Sequence, residues 1–194
     1  SDVGGYVSVY PCGARPNVSN LNFVSGKTVP NAVLIPLSAT GTVCFYVYGQ
    51  ADIIVDINGN FESELGYSPI APNRIADTRS VMGGIAARPI GNTAGTGAPL
   101  EVSVVGTAGI PLSGVTAVSL NVTAIGISTA SSGGYLTVYP CDTRPNASNL
   151  NFVAGQTVPN AVIAPVSSRG TVCFYVYGIA HIVVDANGYI SNIT

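Results

Sequence analysis

The feature that most constrains this chain is an internal duplication. Residues 4–61 and 133–190 align without a gap, and about 40 of about 58 aligned positions are identical. The longest shared run, Gly41–Gly49, recurs as Gly170–Gly178. We call these segments the first and second B copies. One supersecondary unit is therefore used twice, and any function must explain why a duplicated unit serves it.

Alternating apolar and polar residues within each copy predict short β-strands. Residues 6–12 and 42–48 place tyrosine and cysteine on one face and mainly valine on the other. Ala51–Ile57 reads as a further strand with Ile53, Val55 and Ile57 inward, and Val29–Leu37, with two prolines, suits an edge strand. No window shows a sustained helical period. The pattern predicts an all-β fold, an antiparallel jelly-roll-like β-sandwich with essentially no helix.

The segment between the copies occurs once. Residues 62–72 hold two glutamates and two prolines and are predicted to be a linker. Residues 73–132 form a unique half-unit, called A, which we expect to build one domain with residues 133–190. The first copy, residues 1–61, then lacks a partner half. Preceding chain, the same A unit shared from its opposite side, or another molecule are the candidate covers for its apolar face.

The four cysteines occupy equivalent positions in the two copies, which predicts the disulfides Cys12–Cys44 and Cys141–Cys173. A zinc site is the alternative, but zinc needs four clustered ligands. Paired disulfides favour an extracellular or cell-surface location.

Charge is scarce, at 8% of residues with a net charge of −2, which disfavours nucleic acid as a partner. Every apolar run is interrupted well before the roughly 20 residues that a helical membrane span needs, so no membrane span is expected. The sequence also runs into its first strand without a signal-peptide pattern, so we expect a mature or excised portion of a protein.

Tyrosines dominate one face of the predicted strands. If the predicted disulfides form, the tyrosine faces of the joined strands lie on the same side. Such rings can fill a second layer of the sandwich, contact another protein, or stack on sugars. The residues concerned are Tyr6, Tyr10, Tyr46 and Tyr48 in the first copy and Tyr135, Tyr139, Tyr175 and Tyr177 in the second.

Nothing in the sequence predicts catalysis or a cofactor. The single histidine, His181, is replaced by Asp52 in the other copy, and no nucleophile-elbow motif is present. The bland interpretation of His181 is a solvent-facing strand residue. The carboxylates show no pairing typical of a glycosidase.

Two polar patterns remain. Asp77 and Arg79 lie two residues apart and are predicted to form a structural ion pair. Asp56 with Asn58, and Asp185 with Asn187, are weak calcium candidates, although each copy offers one local carboxylate and an Asx-type turn explains the pattern as well.

Several short motifs occur along the chain: residues 74–79 ending in Asp-Thr-Arg, 109–115, 120–123, 134–141, 148–152, 156–160 and 184–189. Together they resemble a repeat found in long secreted and cell-wall-associated proteins of actinobacteria and their relatives. The resemblance covers nearly the whole chain and implies an extracellular repeat array, without catalytic residues.

These observations together predict a non-catalytic extracellular structural repeat protein. We expect it to assemble with copies of itself into a surface fibre, filament or sheath through contacts between β units. The alternative is a carbohydrate-binding or adhesion module that uses exposed tyrosines to bind cell-surface glycans.

Overall fold

The computed structural model describes residues 4–27, 29, 31–55, 57, 60, 66–82, 84–127 and 133–192. Within these ranges the chain forms β-strands and no α-helix. The strands build three antiparallel sheets that pack together, so the predicted all-β, sandwich-like fold is confirmed. The described residues contain no helix with the length and apolar character of a membrane span.

The strands follow one another along the chain with tight turns between several of them. Their bounds are β1 (Gly5–Pro11), β2 (Leu21–Phe23), β3 (Val43–Tyr48), β4 (Tyr67–Asp77), β5 (Leu100–Ser103), β6 (Val115–Gly126), β7 (Gly133–Tyr139), β8 (Leu150–Val153), β9 (Thr157–Pro165), β10 (Thr171–Tyr177) and β11 (Ala180–Ser191).

Two four-stranded sheets, β5-β10-β7-β8 and β4-β11-β6-β9, enclose the main hydrophobic core. Alternate residues of β6, such as Leu120 and Val122, are fully buried on the side facing this core. Leu136 of β7 and Phe174 of β10 belong to the same cluster. The period of two along each strand therefore builds the core as the sequence pattern predicts.

The A unit and the second B copy contribute strands to both of these sheets. A supplies β4, β5 and β6, and the second copy supplies β7 to β11. In the sheet β4-β11-β6-β9, the A strand β6 lies between the two B strands β9 and β11, and β11 lies between β6 and β4. Two of the four strands of this sheet, β4 and β6, therefore come from the A unit and not from a B copy.

Residues 62–72 are predicted to be a linker, and this prediction is wrong for residues 67–72. Strand β4 begins at Tyr67 and pairs with β11. It lies at the edge of its sheet and its pairing is interrupted by register shifts. Pro69 and Pro72 are tolerated there because an edge strand does not need every backbone N–H for its ladder.

The first B copy forms a three-stranded sheet with the order β2-β1-β3. Its register reproduces that of the second copy: Tyr6 is opposite Tyr48 in the first, and Tyr135 is opposite Tyr177 in the second. The main chain of Val9 donates to the side chain of Asn20 at 2.7 Å, and Val138 donates to Asn149 at 2.8 Å. This half of the B unit thus folds in the same way in both places.

The predicted strand Ala51–Ile57 is wrong for the described residues 51–55 and 57. They adopt no strand, and among described residues their backbone makes no hydrogen bond. Their counterparts in the second copy form β11, which is held on both sides by strands of the A unit. No strand among the described residues pairs with this segment of the first copy, so the same pattern has no ladder to join.

The predicted edge strand Val29–Leu37 is absent for the same reason. Its described residues form no strand, whereas their counterparts form β9, which pairs with β6 of the A unit. The first copy therefore keeps the sheet whose strands it encodes itself, and it lacks the sheet that needs a strand from A.

The first copy packs against the side of the sheet β4-β11-β6-β9 that faces away from the main core. We call this side the outer face; it carries Ser119, Asn121 and Thr123 of β6, all buried. Asn121 donates to the main chain of Ser19 at 2.8 Å and accepts from Asn31 at 3.1 Å. The first copy thus rests on the outer face of the A unit, and this contact leaves the apolar residues Ile53, Ile54 and Val55 exposed.

Candidate functional site

The tyrosine surface of the second copy is partly covered, and Tyr177 remains 39% exposed. Tyr135 and Tyr177 stack with ring centroids 5.3 Å apart, and the Arg144 guanidinium lies 3.6 Å from the centre of the Tyr175 ring. Tyr139 and Tyr175 are buried. Part of the cover comes from the A unit, because the Tyr175 hydroxyl donates to the main-chain oxygen of Gly95 at 2.9 Å.

The tyrosine surface of the first copy has the same internal geometry. Tyr6 and Tyr48 stack at 5.2 Å, and Arg15 lies 3.9 Å from the centre of the Tyr46 ring. The described part of the chain offers these rings no equivalent of the loop around Gly95. Tyr48 is accordingly 56% exposed. The two surfaces are equal in sequence and differ in what covers them.

Both disulfides are present in the predicted pairing. Cys12 is bonded to Cys44 and Cys141 to Cys173, each with a Cα–Cα separation of 4.9 Å. Each bridge links the end of one tyrosine-bearing strand to its neighbour, so the tyrosine faces share one side as predicted. Glu101 lies close to the second bridge, but sulfurs joined in a disulfide offer no thiolate to a metal.

A network of charged residues crosses the outer face. Arg74 of β4 contacts both carboxylate oxygens of Asp185 on β11, at 2.9 and 3.3 Å. The predicted pair Asp77 and Arg79 forms, with 2.7 Å between Arg79 Nη2 and Asp77 Oδ2. Arg74 also approaches Asp77 at 3.5 Å. The network thus alternates two guanidinium groups with two carboxylates and needs no external counter-ion.

The two carboxylates differ in their protonation equilibria. Burial tends to raise the pKa of Asp77, but the hydrogen bonds and positive charges of Arg79 and Arg74 outweigh it, so that pKa lies below its usual value. Asp185 is more deeply buried, and burial raises its pKa despite the contact with Arg74. Ionised Asp77 therefore favours the folded chain, whereas ionisation of Asp185 disfavours it.

The calcium candidates gain no support from this geometry. Asp56 and Asn58 lie outside the described residues. Asp185 is occupied by the Arg74 guanidinium, which a cation would have to displace. The side-chain oxygen of Asn187 is buried without a hydrogen-bond partner among described residues, but one amide oxygen falls far short of the 6 to 8 oxygens that calcium takes.

A cleft of about 270 Å³ lies between the first copy and the outer face. Tyr6 and Asn22 line it from the first copy, and Arg74, Arg79 and Thr123 line it from the A unit. Sequence reasoning missed this cleft because it exists only where two distant segments meet. The pattern that could have indicated it is the run of polar residues on alternate positions of β6.

His181 is expected to be a solvent-facing strand residue, but its side chain is not fully exposed. It is half-buried, and its Nδ1 lies 3.1 Å from the Thr78 hydroxyl, which also donates to the main-chain oxygen of Ile182. These contacts tie the end of β4 to β11. Among the described residues no carboxylate is hydrogen-bonded to the His181 ring.

Several apolar side chains are exposed close together in residues 51–55 and 57. Exposure reaches 91% at Ile54 and 90% at Ile57, with 53% at Val55 and 40% at Ile53. Their counterparts in β11, in the same order, are Val183 at 4%, Ala186 at 0%, Val184 at 0% and Ile182 at 0%. Two of these aligned pairs are identical, Ile53 with Ile182 and Val55 with Val184, and Ile54 aligns with the similar Val183. The aligned residues are thus buried in the second copy and exposed in the first.

Comparison with protein-family models, with curated proteins and with solved structures finds no match to this chain.

Proposed function

We propose that this protein is a non-catalytic structural protein of the cell exterior, in which β units associate with neighbouring units to build a surface fibre or sheath. The observation that supports this most directly is the uncovered apolar segment of the first copy. Ile54 is 91% exposed, and burying such a side chain against a neighbour lowers the free energy of the associated state. Contiguous apolar exposure of this kind is typical of protein association sites.

Two further features support the proposal. Each B copy is held by its own disulfide, as befits a unit exposed to an oxidising exterior. The A unit also contacts the first B copy within one chain, through the hydrogen bond from Asn121 to Ser19. This bond is an example of a contact between successive units. The resemblance to repeats of secreted and cell-wall-associated proteins points the same way.

Analytical ultracentrifugation and electron microscopy of the purified chain over a wide concentration range test the assembly. Association that grows with concentration and yields extended particles is expected. A double variant, Ile53→Asp with Val55→Asp, should suppress it, since each change places a charge in the apolar segment. The matched control, Thr40→Asp with Gln50→Asp, adds the same charge at exposed polar positions. Monodisperse single chains at all concentrations would exclude the proposed function.

A second function, binding of a carbohydrate, is favoured by one observation. The exposed ring of Tyr48 stacks on Tyr6, and Tyr6 lines the cleft beside Asn22 and Arg79. A flat aromatic face beside hydrogen-bonding groups suits a sugar ring. A glycan array with the wild-type chain and the Tyr48→Ala variant tests this. Binding that Tyr48→Ala abolishes would support it, and an array without a hit would remove it.

A further inference from the structure

We infer that the first B copy is an acceptor for one β-strand of the β6 type, supplied by an A unit other than residues 73–132. This inference rests on the proposed assembly function, because it names the segment that a neighbouring unit contributes. The occupant is identified by the second copy, where the same B sequence is found with its partner strand in place.

The missing strand has a defined position. In the second copy, β6 lies between β9 and β11, and both of its edges are hydrogen-bonded to B strands. The counterparts of β9 and β11 in the first copy, residues 28–36 and 51–62, form no strand in their described parts. One inserted strand would supply the pairing that both segments lack.

The register of the second copy fixes how the donor would sit. Along β11, Val122 is opposite Val184 and Ala124 is opposite Ile182. The corresponding acceptor residues in the first copy are Val55 and Ile53, which are identical in type.

Along the other edge, Val118 is opposite Ala164 and Leu120 is opposite Val162. The corresponding acceptor residues are Ile35 and Val33. The acceptor therefore keeps apolar side chains at these four positions, where a donor of the β6 pattern would bury them.

The composition of the chain indicates that the donor is not the chain's own A unit. The sequence encodes two B copies and one A unit, and that unit's β6 already pairs along both edges with the second copy. Moving this β6 to the first copy would leave the second copy with the same deficit.

The probe for the test is a labelled synthetic peptide of residues 115–126 with two added lysines for solubility, titrated into the full chain and followed by fluorescence anisotropy. Saturable binding of one peptide per chain is expected. The chain variant Ile53→Asp with Val55→Asp should weaken binding by about tenfold or more. A peptide with Leu120→Asp and a scrambled peptide should lose binding to a similar extent. The control chain Thr40→Asp with Gln50→Asp should bind like the wild type.

Hydrogen exchange locates the bound peptide. Slower exchange at Val33, Ile35, Ile53 and Val55 is expected when peptide is present. Absence of saturable binding below about 1 mM would overturn the inference. Equal binding of the scrambled peptide would also overturn it, as would protection of β9 and β11 instead, which would mean exchange with the chain's own β6.

The outcomes separate this inference from the proposed function. If the chain binds the peptide specifically and stays monodisperse without it, the acceptor inference is supported and the assembly of these chains into fibres is excluded. Fibres that form although the peptide does not bind would retain the assembly and overturn the acceptor. Protection of residues 51–55 in the chain without peptide, together with a dimer in sedimentation, would indicate that two copies pair edge to edge and would likewise overturn it.

Discussion

Asn121, a buried residue in the middle of β6, donates from its side-chain amide to the main-chain oxygen of Ser19 at 2.8 Å. The same side chain accepts from Asn31 at 3.1 Å. One residue of the A unit therefore holds two points of the first copy that are separated along the chain. Because Asn121 is 1% exposed, these bonds are shielded from competing water and define how the first copy sits on the outer face.

Replacing Asn121 by Ala should loosen the first copy selectively. The change leaves the Ser19 carbonyl without the Asn121 donor and removes one of the two hydrogen bonds of the Asn31 amide, whose other acceptor is the main-chain oxygen of Asn20, which should weaken attachment by about 1–3 kcal/mol. Native-state hydrogen exchange should accelerate in β1 to β3 and stay unchanged in β7 to β11. Asn160→Ala is the matched control, because Asn160 donates to Asn149 within the second copy. Equal acceleration in both copies would contradict the prediction.

The counterparts Ile182 and Ile53 should respond differently to truncation. Ile182→Ala creates a cavity in the main core and should lower the free energy of unfolding by about 2–5 kcal/mol. Ile53→Ala removes a side chain that is 40% exposed outside any strand and should change it by less than about 0.5 kcal/mol. Chemical denaturation followed by circular dichroism measures both. A large loss for Ile53→Ala would mean that the first copy buries this segment in solution.

The same pair of residues shows how far the sequence could predict the fold. The strand pattern around Ile182 predicts β11 correctly, because strands of the A unit are available on both sides. The identical pattern around Ile53 predicts a strand that does not form. Local periodicity reports which face a segment would bury and contains no information on whether a partner strand exists.

The candidate site was predictable to a similar extent. Both disulfides followed from the duplication, and so did the shared tyrosine faces. The ion pair of Asp77 and Arg79 was predictable because its members are close in sequence. The bridge from Arg74 to Asp185 was not, because it depends on the register between β4 and β11, which contains bulges.

Removing each disulfide should have a different consequence. Each bridge closes a loop with a sequence separation of 32 residues, which corresponds to about 3–4 kcal/mol of stabilisation. Serine at Cys141 and Cys173 should lower the main unfolding transition of the sandwich. Serine at Cys12 and Cys44 should destabilise only the three-stranded sheet. Calorimetry should then show a separate early transition, and an equal shift of one single transition by both variants would contradict this.

Lowering the pH should reduce the stabilisation that ionised Asp77 gives to the folded chain. Its pKa is lower in the folded chain than in the unfolded chain, so its stabilisation is complete above the unfolded value of about 3.9 and is lost as the pH falls through the folded value. Asp77→Asn should cost about 1–2 kcal/mol at pH 7. The difference in unfolding free energy between wild type and variant should shrink below about pH 4. A difference that stays constant between pH 7 and pH 2 would exclude this linkage.

The hydroxyl of Tyr175 should matter more than that of its counterpart Tyr46. Tyr175 donates to the Gly95 main chain and so fixes the loop from the A unit over the second tyrosine surface. Tyr175→Phe should therefore cost about 0.5–1.5 kcal/mol and accelerate hydrogen exchange in residues 91–97. The Tyr46 hydroxyl makes no hydrogen bond to a described residue, so Tyr46→Phe should change stability by less than about 0.5 kcal/mol. Equal losses would show that the first tyrosine surface is also covered in solution, which would remove the difference between the copies at this site.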